Sequence, residues 1–151
     1  MDARTDAEIS RDVAQVAGAL LLELRDGYGP IDDKDAANAL RKLADRTSHE
    51  RIMELLSAAR PDDAILSEET EDSFHRLEAN RVWIIDPLDG THNYSRAFPW
   101  FGISIALQHN GHLLAGVGQR QAAAPVVLAQ RSRARRRTRR RWFGSTSRAK
   151  S

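Results

Sequence analysis

Two short stretches of this 151-residue chain set carboxylates directly behind apolar runs. Ala64-Ile65-Leu66-Ser67 leads into Glu68-Glu69, and Val82-Trp83-Ile84-Ile85 leads into Asp86-Pro87-Leu88-Asp89-Gly90-Thr91. An unpaired carboxylate is costly to bury, so acids at the ends of buried strands need a reason. If the two runs are neighbouring strands of one sheet, Glu68, Asp86 and Asp89 converge at one edge, where they repel one another unless a cation lies between them. Oxygen donors without histidine or thiolate suit a hard ion, Mg²⁺ or Mn²⁺. Pro87 stiffens the bend that holds Asp86 and Asp89. Gly90 lets a backbone approach a ligand, and Thr91 offers a hydroxyl and an N–H. A helix starting there would present an anion site. Cations beside an anion-binding turn point to phosphoryl chemistry. Glu71, Asp72 and Glu78, by contrast, read as ordinary solvated acids.

The elements that position these residues follow from spacing. Thr5-Asp6-Ala7-Glu8 has the form of a capping box. Ile9, Val13, Val16, Leu20 and Leu24 recur behind it as one helical stripe, which Asp26-Gly27-Tyr28-Gly29-Pro30 ends. A second helix is expected from about Asp45 to Ala59, with Ile52, Leu55 and Leu56 inward and Arg60-Pro61 as the stop. Residues 32–44 read as helix by their Ala and Leu content and as loop by their charges. Phe101 to Gln108 and His112 to Gly118 are strand candidates around Asn110-Gly111, a dipeptide favoured in tight hairpins. Helices first and sheet afterwards imply an α+β layered fold. The five histidines show no ligand spacing and read as surface residues, His109 and His112 flanking the hairpin turn. Trp83 and Trp100 read as packing residues of core or rim.

The run from Val82 to Thr91, with Leu66-Ser67-Glu68-Glu69 upstream, resembles the signature of the inositol monophosphatase superfamily. The resemblance extends over about residues 8–118 and takes in Phe98-Pro99-Trp100. It implies the layered α/β sandwich of that family, truncated here to its N-terminal half. It implies Glu68 and Asp86 as ligands of a first Mg²⁺, assisted by the Leu88 carbonyl, and Asp86 and Asp89 as ligands of a second. Gly90 and Thr91 would hold phosphate. Thr91 and Glu68 would orient a water, and Asp45 would hydrogen-bond Thr91. The implied reaction is in-line attack by metal-activated water on a phosphomonoester, with two ions ~3.5–4 Å apart. Asp45-Arg46-Thr47-Ser48-His49-Glu50 and Arg81-Val82-Trp83 resemble CysQ-type 3′-phosphoadenosine 5′-phosphate phosphatases, whereas His92-Asn93-Tyr94 resembles inositol monophosphatases proper. Both substrates stay open. The resemblance also suggests a homodimer.

Charge divides the chain sharply. All 21 acidic residues precede residue 90, so residues 1–118, with 12 basic residues, carry −9, while residues 119–151 carry +11 and no acid. Residues 1–118 are expected to be the N-terminal part of a metal-dependent phosphatase domain. Residues 119–151 are expected to be an arginine-rich, disordered tail. Arg131 to Arg141 holds eight arginines in eleven positions, followed by Trp142-Phe143. Such a run could bind nucleic acid; a shifted reading frame in a GC-rich gene would also give Arg, Ala, Pro and Ser. With the family's second half missing, the sheet would keep an unpaired edge and an uncovered face, and little or no turnover is expected. The alternative function is then an inactive phosphatase fragment whose tail contacts nucleic acid. No cysteine is present, which removes thiolate chemistry and disulfides and fits a reducing cytoplasm. No signal peptide is expected, and no stretch approaches the ~18 apolar residues of a membrane span.

Overall fold

The structure, a computed structural model, describes residues 2–29, 31–68, 78–120 and 127–130. Helix α1 (Asp6–Tyr28) begins at the expected capping box: Thr5 Oγ1 accepts from Glu8 N at 3.2 Å, and Glu8 Oε2 accepts from Thr5 N at 2.8 Å. It ends at Gly29, whose φ is +66°. Its buried stripe begins as expected with Ile9 and Val13 but continues through Ala14, Ala17 and Leu21. Val16 is 41% exposed, and Leu20 and Leu24 are only half-buried. Alanines on the inner face let α1 lie close to its neighbours, so the contact line follows small residues that hydrophobic spacing undervalues.

Helix α2 (Lys34–Ala59) starts eleven residues before the expected Asp45. Asp33 caps it by accepting from Ala36 N at 2.8 Å, and Asp35 lies in the first turn. The charges that suggested a loop therefore sit at a helix N-terminus, where acids are favourable, and on its outer side. Leu40, Ala44, Ile52 and Leu56 are buried, with Leu55 packed at the core margin.

Five strands form one mixed sheet in chain order: β1 (Ala64–Ser67), β2 (Arg81–Asp89), β3 (Gly102–His109), β4 (His112–Arg120) and β5 (Val127–Gln130). β1 runs parallel to β2, and the remaining pairs are antiparallel. A short helix, α3 (Thr91–Ser95), links β2 to β3. Asn110 and Gly111, with φ of +48° and +78°, make the expected two-residue hairpin turn between the paired His109 and His112. The layered α+β class is the one anticipated. β4 nevertheless continues past Gly118, and β5 pairs with it, so strand structure runs beyond the residue where the family pattern was expected to stop. Residues 131–151, with the arginine run, lie outside the described residues.

Both long helices pack on one face of the sheet, α1 against β3 and β4 and α2 against β2. Trp83, Ile85, Ile103, Ile105 and Leu107 point into this layer and are buried. On the opposite face Ile84 is 39% exposed and Ser104 is exposed.

Candidate functional site

β2 is anchored at both ends by polar contacts. At its start, Asp63 accepts two hydrogen bonds from Arg81, at 2.8 and 3.1 Å, and one from the indole Nε1 of fully buried Trp83 at 2.8 Å. Towards its end the register with β3 shifts between Asp86 and Asp89, a bulge that suits Pro87 because proline cannot donate to the ladder. Asp86 Oδ1 accepts from Leu88 N at 3.2 Å, and Ser48 Oγ of α2 donates to the Pro87 carbonyl at 2.7 Å in a buried position. Leu88 turns inward, 1% exposed; Asp86 is half-buried and Asp89 is exposed.

The parallel register pairs Leu66 with Ile84 and Ser67 with Ile85. Strand pairing stops there, and Glu68 and Asp86 are the next residues along the two chains. Glu68 is exposed in the turn that ends β1. Asp86 does not follow its strand, as the sequence suggested, but lies within it. Strand pairing resumes at Asp89 opposite Gly102, so the three steps from Asp86 to Asp89 match only two steps of β3. Among the described residues, no group of three or more acidic or histidine side chains is close enough together to hold a metal ion. Glu69, Glu71 and Asp72 lie outside the described residues; Glu78 is exposed.

Gly90 turns the chain into α3 with φ +78° and ψ +40°, and its carbonyl accepts from Tyr94 N at 3.0 Å. A Cβ here would meet the Trp100 carbonyl oxygen at 2.8 Å, an oxygen that also accepts from Asn93 Nδ2 at 2.9 Å. Thr91, half-buried, opens α3. Tyr94 fixes this helix from below: its hydroxyl donates to the Leu21 carbonyl at 2.7 Å, and its ring meets Phe101 edge-on at 4.9 Å. Burial, its chief cause, pushes the Tyr94 phenol up to about 12. The Arg25 guanidinium lies 5.6 Å from the Tyr94 ring centroid and 5.0 Å from that of Phe101, and donates to the Phe98 carbonyl at 3.2 Å.

α2 packs against α3, and Arg41 Nε donates to Ser95 Oγ at 3.1 Å between them. Asp45, one turn further along α2, has a fully buried carboxylate oxygen, and its charge acts on Tyr94. Two neighbours on this turn had no structural role assigned to them from the sequence. Ser48 holds the Pro87 carbonyl, and His49, expected at the surface, is half-buried with Nδ1 2.9 Å from Ser67 Oγ. Their spacing from Asp45, three and four residues, was the available signal. His92 and His112 are exposed as expected, His109 is half-buried, and His75 lies outside the described residues. Trp83 is core, whereas Trp100 is 65% exposed.

Known proteins resemble this chain in sequence and in fold. The chain is 48% identical over 93 residues to a 3′-phosphoadenosine 5′-phosphate phosphatase of Mycobacterium leprae, a match covering 62% of this chain and 33% of that protein. It is 41% identical over 93 residues to an inositol-1-monophosphatase of Mesorhizobium japonicum, covering 58% and 33% respectively. Among solved structures, the extragenic suppressor protein suhB of Bartonella henselae superposes with a TM-score of 0.67 at 30% identity, over 82% of this chain and 48% of that one. The chain thus spans between a third and a half of the length of these relatives. The model of one family matches residues 2–140, past the limit near residue 118 that the sequence suggested and across the whole acid-bearing sheet. By that match, this chain belongs to the inositol monophosphatase family.

Proposed function

We propose that this chain carries the cation- and phosphate-handling strand ends of a Mg²⁺-dependent phosphomonoesterase acting on a small phosphorylated metabolite. The observation that supports the reading is the parallel register of β1 and β2, in which Glu68 and Asp86 each follow directly on the last paired residues, Ser67 and Ile85. The donors fit a hard cation in kind, being carboxylate and carbonyl oxygens only. Glu68, Asp86 and the Leu88 carbonyl would hold one Mg²⁺, and Asp86 with Asp89 a second. Such ions supply charge neutralisation and an acidified water when bound. The chain's own groups would do the rest. The Gly90 and Thr91 amides would bind phosphate oxygens, the Thr91 hydroxyl and Glu68 would orient the attacking water, and Asp45 would steady the α3 turn that Thr91 opens.

A nucleoside bisphosphate, 3′-phosphoadenosine 5′-phosphate, is the favoured substrate, supported by the 48% identity to the M. leprae phosphatase. Inositol monophosphate is the second reading, supported by His92-Asn93-Tyr94 and the 41% identity to the M. japonicum enzyme. The test is a chimera of residues 1–118 with the remainder of the M. leprae relative, assayed for phosphate release from both compounds with Mg²⁺. Release from the bisphosphate should be the faster, and Asp86→Asn should lower it by about a hundredfold or more. Unchanged turnover in Asp86→Asn would refute the site.

A further inference from the structure

We propose that Ser48 and His49, consecutive residues of α2, form a paired clamp that sets the separation of the two acid-bearing strand ends. Ser48 Oγ donates to the Pro87 carbonyl at 2.7 Å, between Asp86 and Asp89. His49 Nδ1 lies 2.9 Å from Ser67 Oγ, one residue before Glu68. Successive helical residues project about 100° apart, so two neighbours on one turn can reach two adjacent parallel strands. Each partner has a reason to need the contact. The β2 ladder is interrupted at the bulge, and a buried carbonyl there must find a partner outside the sheet. Ser67, 2% exposed, is the last residue of β1, where strand pairing stops. Ser48 is itself fully buried, so its hydroxyl is not a solvated surface group. Ligand positions must hold to within about 0.2 Å for a cation to bind well. Two short tethers from one rigid helix provide that fixity, where a bulge and a turn alone would not.

The clamp deepens the proposed function, and its role towards a cation rests on that reading; its effect on the backbone does not. The experiment uses the whole 151-residue chain, with amide hydrogen exchange in metal-free buffer and Mn²⁺ affinity by electron paramagnetic resonance. Ser48→Ala should speed exchange at Asp86, Leu88 and Asp89 about tenfold, the loss of one buried hydrogen bond, and leave Ser67 and Glu68 unchanged. His49→Ala should do the reverse. His49→Asn, which keeps a hydrogen-bonding atom near the position of Nδ1, should restore the parent pattern. Each alanine variant should also weaken Mn²⁺ binding about tenfold, with His49→Asn near the parent value. Exchange at the two strand ends that is unaltered, or that rises evenly along β2 from Val82 onwards, overturns the clamp. Mn²⁺ affinity that is unchanged in both alanine variants overturns its role towards the cation while leaving the proposed function standing. A parent chain that binds no Mn²⁺ but shows the local exchange pattern upholds the clamp and removes the cation-site reading instead.

Discussion

Replacing Gly90 by alanine should be markedly more damaging than replacing Gly111, although both glycines have φ of +78°. The shared backbone conformation costs an L-residue about 1–2 kcal/mol at either position. Their surroundings differ. At Gly111 the nearest atom to a new Cβ is the end of the Gln108 side chain at 4.0 Å, which can move aside. At Gly90 the new carbon would stand 2.8 Å from the Trp100 carbonyl oxygen and 3.3 Å from the Phe101 Cα, both backbone atoms. That carbonyl is tied to Asn93, and Phe101 is packed against Tyr94, so relief requires shifting a hydrogen-bonded segment. Overpacking of this kind adds about 1–3 kcal/mol. Gly90→Ala should therefore cost roughly 2–5 kcal/mol in total, against about 1–2 for Gly111→Ala. Urea unfolding followed by tryptophan fluorescence and circular dichroism measures both. A whole-domain stability of about 5–15 kcal/mol makes the difference easy to resolve, and each kcal/mol moves Tm by about 2–4 °C at this size. Equal losses in the two variants, within about 0.5 kcal/mol, would show that the close approach at Gly90 does not constrain the turn.

Two further outcomes concern the framework. The Tyr94 phenol is raised from 10.0 to about 12, so its contribution to stability is complete below pH 10 and is lost as pH climbs through 12. Tyr94→Phe should reduce that alkaline decline, seen as a smaller fall of the unfolding midpoint from pH 10 to 12, while costing about 1 kcal/mol at neutral pH through loss of the bond to Leu21. Asp63→Ala should destabilise by about 2–3 kcal/mol, because it strips the buried Trp83 indole of its acceptor and leaves Arg81 with Asp6 alone. Restoring most of that loss in a Trp83→Phe background, by urea midpoint, would identify the indole as the main cause.

Much of this fold was legible because its signals are local. A capping box needs only Thr5 and Glu8, and a two-residue hairpin turn needs only Asn110-Gly111. The acid-bearing strand ends declared themselves because carboxylates directly behind β-branched runs are chemically conspicuous. What escaped depends on partners distant in the chain. The true inner stripe of α1 runs through Ala14 and Ala17, and only the neighbours they meet reveal that small side chains face inward. Asp33 reads as a loop acid until a helix is known to begin beside it. Ser48 is the clearest case. A lone serine on a helix carries no pattern, and the carbonyl it serves is orphaned only by a register shift between β2 and β3.

The alternation of β2 explains why acids and core coexist within a few residues. Trp83 and Ile85 point towards the helices, and Ile85 faces Ile105 across the ladder. Ile84 and Asp86 take the opposite parity, with Asp86 paired to exposed Ser104. Glu68, one step past buried Ser67, is exposed in the turn that ends β1. A slip of one residue would bury Asp86 in the helix layer and expose Ile85, at the cost of an unpaired buried carboxylate and a lost core side chain. Burial of the inner face thus specifies the register that keeps Asp86 on the outer one. If the alternation simply continued, Pro87 would face inward, Leu88 outward and Asp89 inward. The bulge breaks the period, so Leu88 re-enters the core and Asp89 is released to solvent. The hydrogen bond from Ser48 stabilises the backbone at the point where that change occurs. The acid-bearing edge is therefore held in place by the hydrophobic packing on the other side of the same strand, and core variants at Trp83 or Ile85 should disturb the site without touching any of its oxygens.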